Sequence, residues 1–415
     1  MTSDIDQQPE TSLNTGSAGK NFYYKFLICS FLGALGDYMT LSALGWHIVD
    51  ALGTAQVLGW VFFARTFPRF FMSFVGGYFA DRVDRRKLII GVYSGLMIAT
   101  LLQLLVISQI ENLHWLYIVA VVFLRNVFDS AEPSIRNALL PDIVKKEEIA
   151  KAVGYYASSL NLAAVLAPIL VGYLLSVISI TPLLIADFCL QIPAFLILFL
   201  LPALPQKHNN IEGAAPKGFI FAVSYIKKTP VLRNSLLLSV SLMFFLFPFS
   251  AMLPLLIKNT LKLESQSFGL ISGMEALGAV LGGLALRYIA QINLLKIWPW
   301  IGMLSCSLLI ILGFSTKLPA VCLLVFFLGL VSQLFRCTGR SIFQLNTPAE
   351  IRGKVMSVMI SDSGVVSLGI LFFSLITNNL TIGLVYGMMG SAGLICASLI
   401  FFRLFKENKI PAGSL

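Results

Sequence analysis

The chain has 415 residues, 57% of them hydrophobic and only 12% charged, with a mean hydropathy of +0.85. A soluble domain of this length cannot bury so much apolar surface, so the composition excludes a water-soluble protein and makes lipid the solvent. The net charge of +10 would suit a nucleic-acid binder if the bases formed one patch, but they sit in short breaks between apolar runs, which excludes that class as well.

A membrane helix needs about 20 apolar residues, and about twelve such runs fill the sequence. The expected spans are 22–50, 56–80, 88–109, 113–136, 148–176 and 181–202, then 231–257, 266–290, 296–315, 318–341, 354–377 and 380–405, numbered here as helices 1 to 12. The fold class is therefore an all-α integral membrane protein of two six-helix bundles, 21–202 and 231–405. Residues 1–20 are polar and carry Asp4, Asp6 and Glu10, reading as a disordered tail. The first apolar run is too long for a signal-peptide core and stays as helix 1. Residues 203–230, with Pro205, Pro216 and a basic run, form the linker, and 406–415 a second tail.

The bases fall in alternate loops. One set holds Arg82, Arg85, Arg86 and Lys87, then Lys145, Lys146 and Lys151, the linker lysines, Arg287 and Lys296, and Arg352 and Lys354; the other holds Lys258, Lys262 and Lys317. Positive charge inside puts the first set, and both termini, in the cytoplasm. The six cysteines lie in apolar runs with no ligand spacing to the three histidines, so they read as packing residues, and no metal or cofactor is expected.

A charge within hydrocarbon costs at least about 2.5–3.5 kcal/mol on insertion scales, so each intramembrane charge is a functional suspect. In helix 1, Asp37 stands in Leu35-Gly36-Asp37-Tyr38 between apolar neighbours. Burial and a nearby arginine act in opposite senses on a carboxyl's hold on its proton, so Asp37 beside an arginine suits proton loading and release; a fixed ion pair joining two helices is the alternative. Helix 2 carries Arg65 and Arg69 around Pro68.

After helix 2 comes the turn Gly76-Gly77-Tyr78-Phe79-Ala80-Asp81-Arg82-Val83-Asp84-Arg85-Arg86-Lys87, a glycine pair, an acid and four bases between two apolar runs. Asp81 is placed to pair with a base such as Arg136 or to cap the N-terminus of a facing helix, where the macrodipole favours negative charge. Gly77, Asp81, Arg82, Arg85, Arg86 and Arg136 form the expected gate, and a solvated turn that only sets topology is the alternative.

In helix 4, Arg125, Asp129, Glu132 and Arg136 recur at i, i+4, i+7 and i+11, which puts them on one stripe about 16 Å long. The stripe, which starts with Arg125 near mid-helix, reads either as the lining of a cavity that Arg125 faces or as a seam that pairs with itself and packs against neighbouring helices. Helix 5 has Ala163, Ala167, Pro168 and Gly172, small residues four apart with a proline, a pattern for close helix packing and a bend. Asp187 in helix 6, Arg336 and Arg340 in helix 10 and Asp362 in helix 11 are further intramembrane charges. Helix 7 has four phenylalanines around Pro248, and Glu275, near the middle of helix 8, is the second candidate for a titrating group.

At an offset of 207 residues Ser134-Ile135 falls on Ser341-Ile342 and Pro141 on Pro348, and Gly76-Gly77 recurs one residue off as Gly282-Gly283, which suggests a duplicated six-helix unit. The whole chain resembles the major facilitator superfamily, whose signature between helices 2 and 3 matches Gly77, Asp81, Arg82, Arg85 and Arg86, with Asp84 in place of the family's second glycine. Its second-half counterpart, Gly283 to Tyr288, lacks the acid. The resemblance implies helices 1 and 4 around a central cavity, Arg125 as the helix-4 arginine implicated in proton coupling, Asp81 facing helix 11 as a latch, and helix 5 as a variant of the antiporter motif with alanines for two glycines.

The segments 125–134, 140–148 and 347–354 most resemble the macrolide-efflux and enterobactin-exporter branch. That implies export of an amphipathic small molecule, a drug or siderophore, by antiport against protons. The alternatives are a lysophospholipid flippase and a transport-inactive receptor or assembly partner. No nucleophile and base pair marks an enzyme. The expected partners are the substrate, protons and the bilayer, with no nucleic acid, and the expected setting is a monomer in a bacterial inner membrane.

Overall fold

The computed structural model describes residues 17–72, 84–109, 114–143, 148–200, 215–289, 291, 293–348 and 351–407, and among these no residue is in a strand. Ten helices among the described residues are long and apolar enough to cross a membrane. The expected spans of helices 2 and 4 are not among them. Helix 2 covers Ala55–Thr66, breaks at Phe67 ahead of Pro68, and resumes over 68–72, the last residues described there. Helix 4, Trp115–Ile143, is 29 residues long but carries the charges of its stripe.

The remaining expected helices lie at Ser17–Leu52 (1), Arg85–Ile107 (3), Ile149–Leu174 (5), Ile180–Ile197 (6), Ser265–Ile289 (8), Leu294–Gly313 (9), Leu318–Leu345 (10) and Ile382–Glu407 (12). Helix 1 starts inside the stretch assigned to the disordered tail. Asp84, the departure from the family glycine, caps helix 3: its carboxylate accepts a hydrogen bond from the Arg86 amide at 2.9 Å, satisfying one of the orphan donors of a helix start.

Helices 7 and 11 are segmented. Helix 7 is α-helical over Pro230–Phe245, a 3₁₀-helix over Phe247–Met252, one α-turn over Leu253–Leu255 and π-helical over Leu256–Thr260. Pro248 and Pro254 each lack an amide proton, so regular bonding cannot run through them. Helix 11 is divided at Ser361 and Asp362 into Arg352–Ile360 and Ser363–Thr377.

The linker is not simply a polar loop. Ala215–Lys228 is a helix whose Ala222 and Ile226, one turn apart, are buried with Leu232, Phe343, Val355 and Met359 at the ends of helices 7, 10 and 11. Its other face keeps Phe221 exposed, with Lys354 over the ring at 5.9 Å.

Within the first half helix 1 packs on helices 5 and 6, and helix 3 on helix 4; in the second, helix 8 packs on helix 10 and helix 9 on helix 12. Between the halves the main pairings are helix 5 with 8 and helix 2 with 11. The second runs from Phe70 against Gly364 to Gly59 against Ser374, and the first gathers at the end of the bundle that carries the turn at Gly53. There Trp46 stacks on Phe268 with centroids 5.5 Å apart, Gln266 donates to the Ser176 hydroxyl at 3.1 Å, and Lys258 pairs with Asp50. The end that carries the most basic loops is the opposite one.

Candidate functional site

Arg125 is the hub of the first half. Its side chain is 1% exposed, and each guanidinium nitrogen has its own acceptor: Nη1 to Asp37 at 2.6 Å, Nη2 to Asp187 at 3.1 Å and Nε to the Thr100 hydroxyl at 3.1 Å. Asp37 also accepts from Arg65 Nη2 at 2.7 Å. Asp187, 1% exposed, accepts from Thr40 at 2.7 Å and from Gln191 Nε2 at 2.7 Å. One net thus joins helices 1, 2, 3, 4 and 6. Its two acids and two arginines cancel, as charges taken out of water must.

Local sequence explains how these groups meet. Asp37 and Thr40 are three residues apart, and Asp187 and Gln191 four apart, so each pair shares a helix face. Gly36 lets helix 1 cross helix 6 at the net, since a Cβ there would lie 2.6 Å from Asp187 Oδ1 and 3.0 Å from its Cα.

The helix-4 stripe does not simply pair with itself. Asp129 faces Arg69 of helix 2 at 3.5 Å, and only Glu132 and Arg136 pair within the helix, at 2.8 Å. Arg136 also lies 3.5 Å over the Tyr156 ring, and the Tyr93 hydroxyl is 3.4 Å from Glu132. With all its nitrogens engaged Arg125 is enclosed by protein. Asp37 and Asp129, 18% and 26% exposed, are the acids that reach open space.

Of the expected gate, Gly77, Asp81 and Arg82 lie outside the described residues, and so does the contact between Asp81 and helix 11. Arg85 opens helix 3, Arg86 donates to the Phe199 carbonyl at the end of helix 6 at 3.0 Å, and Arg136 has the partners given above. In helix 5, Ala163 and Ala167 are fully buried, and the backbone at Pro168 and Gly172 meets Gly269 of helix 8. The helix-5 pattern is thus part of the joint between halves.

In the second half Glu275 accepts from the Ser250 hydroxyl at 3.1 Å, and Arg336 donates through Nε to Gln333 at 3.1 Å and lies 5.0 Å over the Phe247 ring. Asp362 accepts a hydrogen bond from Ser239. In the sequence Asp187 and Arg65 stand out as charges in apolar runs with nothing to place them at the site, and Thr40, Thr100 and Gln191 carry no signal beyond being polar in apolar runs.

Membrane-length helices around a buried, charge-neutral net are the frame of a polytopic membrane protein. The chain belongs to the Major Facilitator Superfamily, whose sequence profile matches residues 26–361. It is 26% identical over 391 residues to the staphyloferrin A transporter of Staphylococcus aureus, covering 93% of this chain and 96% of that protein. It is 22% identical over 325 residues to macrolide efflux protein A of Streptococcus pyogenes, covering 76% and 79%. Among solved structures it is similar to the nucleoside transporter NupG, with a TM-score of 0.75 at 14% identity over 93% of this chain and 99% of that one. The protein is therefore a multi-pass membrane transporter and not an enzyme.

Proposed function

We propose that the protein exports an amphipathic small molecule from a bacterial cell in exchange for protons, with a siderophore as the first candidate cargo and a macrolide-type drug as the second. The observation that carries the coupling is Asp37: it is the one acid of the buried net that is partly exposed, and it is held by two arginines. Protonating Asp37 takes the net from neutral to a charge of plus one. Arg125 keeps Asp187 and Thr100, so the excess falls on Arg65. Helix 2, which carries Arg65, also carries Gly59 and Phe70, which lie against Ser374 and Gly364 of helix 11 across the halves. Loading a proton therefore loosens the helix that joins the halves, and discharging it restores the grip, which is a two-state device of the kind alternating access requires.

The cargo reading rests on similarity to the staphyloferrin A transporter along nearly the whole chain. In this reading the twelve helices form two six-helix units, 21–202 and 231–405, that rock about the site, with both termini cytoplasmic. The joint near Gly53 then closes the outer side.

The test is transport in proteoliposomes under an imposed pH gradient, with staphyloferrin A, erythromycin and a lysophospholipid offered separately. A pH-driven flux of one of the first two is expected, and Asp37→Asn should uncouple it from proton movement. Unchanged coupling in that variant would remove the proton role, and flux of the lysophospholipid alone would replace export with lipid flipping.

A further inference from the structure

The two halves treat charge differently. In the first half the four acids Asp37, Asp129, Glu132 and Asp187 and the four arginines Arg65, Arg69, Arg125 and Arg136 are all in ion pairs with one another. In the second half Arg336 has no carboxylate among the described residues within 4.0 Å, and Glu275 no cation. Both are partly buried in mid-membrane helices. Glu275 and Asp362 act on Arg336 only from beyond contact distance, and a guanidinium with no anion in contact is costly there unless one reaches it.

The 3₁₀-helix of helix 7 brings the two groups to one face. At three residues per turn, Phe247 and Ser250 eclipse each other. Phe247 carries the Arg336 guanidinium on its ring, and Ser250 donates to Glu275. The residues between them point elsewhere: Pro248 lies against Gly369 of helix 11, and the Phe249 carbonyl accepts from Tyr386 of helix 12 at 2.8 Å. Pro248 and Phe249 are buried, whereas Ser250 is exposed and Phe247, Arg336, Gln333 and Glu275 are partly so. The face of helix 7 turned to helices 8 and 10 is thus the one its own half leaves open.

Arg336 is also prepared for an anion. Gln333, one turn earlier on helix 10, accepts from both its Nε and its Nη2, so the edge formed by Nη1 and the second Nη2 proton is the one left over. The Phe247 ring supports the guanidinium plane without neutralising it. That leaves guanidinium N–H groups available for the paired hydrogen bonds by which arginine grips a carboxylate.

We propose that Arg336, seated on Phe247 and steered by Gln333, is the receptor for a carboxylate group of the transported molecule. The cargo is then an amphiphile with a carboxylate head, and its apolar part lies along Phe247. This rests on the export reading for the word cargo, but the site is tested by binding alone, with no gradient, so failure of proton coupling leaves it standing and its own failure leaves coupling standing.

The full-length protein in nanodiscs is titrated with dansylglycine, which has one carboxylate and an aromatic body, and with dansylglycinamide, its uncharged counterpart. One charge-assisted hydrogen-bonded pair predicts a preference for the acid of about tenfold or more. Arg336→Gln should abolish the preference, and Arg336→Lys, which keeps the charge and loses the planar fork, should retain part of it. Equal binding of the two probes, no binding of either, or an undiminished preference in Arg336→Gln overturns the assignment. Melting temperatures of Arg336→Gln with and without Glu275→Gln test the competing explanation: if the second change restores the stability lost in the first, the two residues are a structural pair and the receptor reading fails.

Discussion

Asp37 and Asp187 share one arginine but differ in what else holds them. Asp187 is 1% exposed and fixed by Thr40 and Gln191 as well as Arg125, whereas Asp37 is 18% exposed and held by arginines alone. In the proposed exchange the first therefore acts as a positioning residue and the second as the group that takes up the proton. Asp187→Ala leaves the Arg125 charge buried with one partner fewer, and breaking a buried pair in this way costs about 3–5 kcal/mol. The expected result is a large drop in the melting temperature of the purified protein. Asp187→Asn, which still accepts from Thr40, should fall less. Adding Arg125→Gln to Asp187→Asn should cost less than the sum of the two changes, because neither residue then leaves the other as a lone buried charge. Strict additivity would show that the two are not energetically linked.

Asp37 and Arg125 were legible as candidates because a charge in an apolar run is conspicuous wherever it lies. The central place of Asp187 was not, because it depends on Gly36 letting helix 1 cross helix 6 at that level, and a crossing point is a property of two segments 150 residues apart.

At the scale of elements, the joint between helices 5 and 8 is backbone on backbone. A Cβ on Gly269 would lie 2.6 Å from the Pro168 carbonyl oxygen and 2.7 Å from the Gly172 Cα, and one on Gly172 would lie 2.7 Å from the Ser265 carbonyl oxygen. Small residues allow such approach, and in lipid close packing is a main source of helix association. Gly269→Ile should therefore force the halves apart at this end. The readout is cross-linking of Ser176→Cys with Gln266→Cys, positions whose side chains hydrogen-bond across the joint, on a background without the native cysteines. Cross-linking should fall strongly when Gly269→Ile is added, and an unchanged yield would mean that the joint tolerates a side chain.

The helix-5 pattern was readable as a packing motif, but its partner was not, since nothing in Ala163 to Gly172 points to Gly269. The linker helix shows the converse. Phe219, Ala222 and Ile226 recur at helical spacing, but the lysines and Pro216 around them read as loop. The proline stands near the start of the helix, where a missing amide is harmless.

For the whole molecule, the question is what decides which end is closed. Two kinds of contact cross the halves near Gly53: the packing of helices 5 and 8 and of helices 2 and 11, and the ion pair of Asp50 with Lys258. The ion pair is 47% and 42% exposed, and pairs in that setting contribute about 0.2–1 kcal/mol. A change of that size moves a two-state ratio by no more than about fivefold. Asp50→Asn should therefore leave transport largely intact and shift the conformer ratio only modestly, and the effect should shrink further at high salt. The ratio is measurable by distance distributions between spin labels on the loops at each end. The packed joint has no such screening, so Gly269→Ile should shift the same distributions far more than Asp50→Asn does. If the two changes shifted the ratio equally, charge rather than packing would set the resting state. A larger effect from Asp50→Asn would make the exposed pair the main lock, and the backbone joint incidental to the closed end.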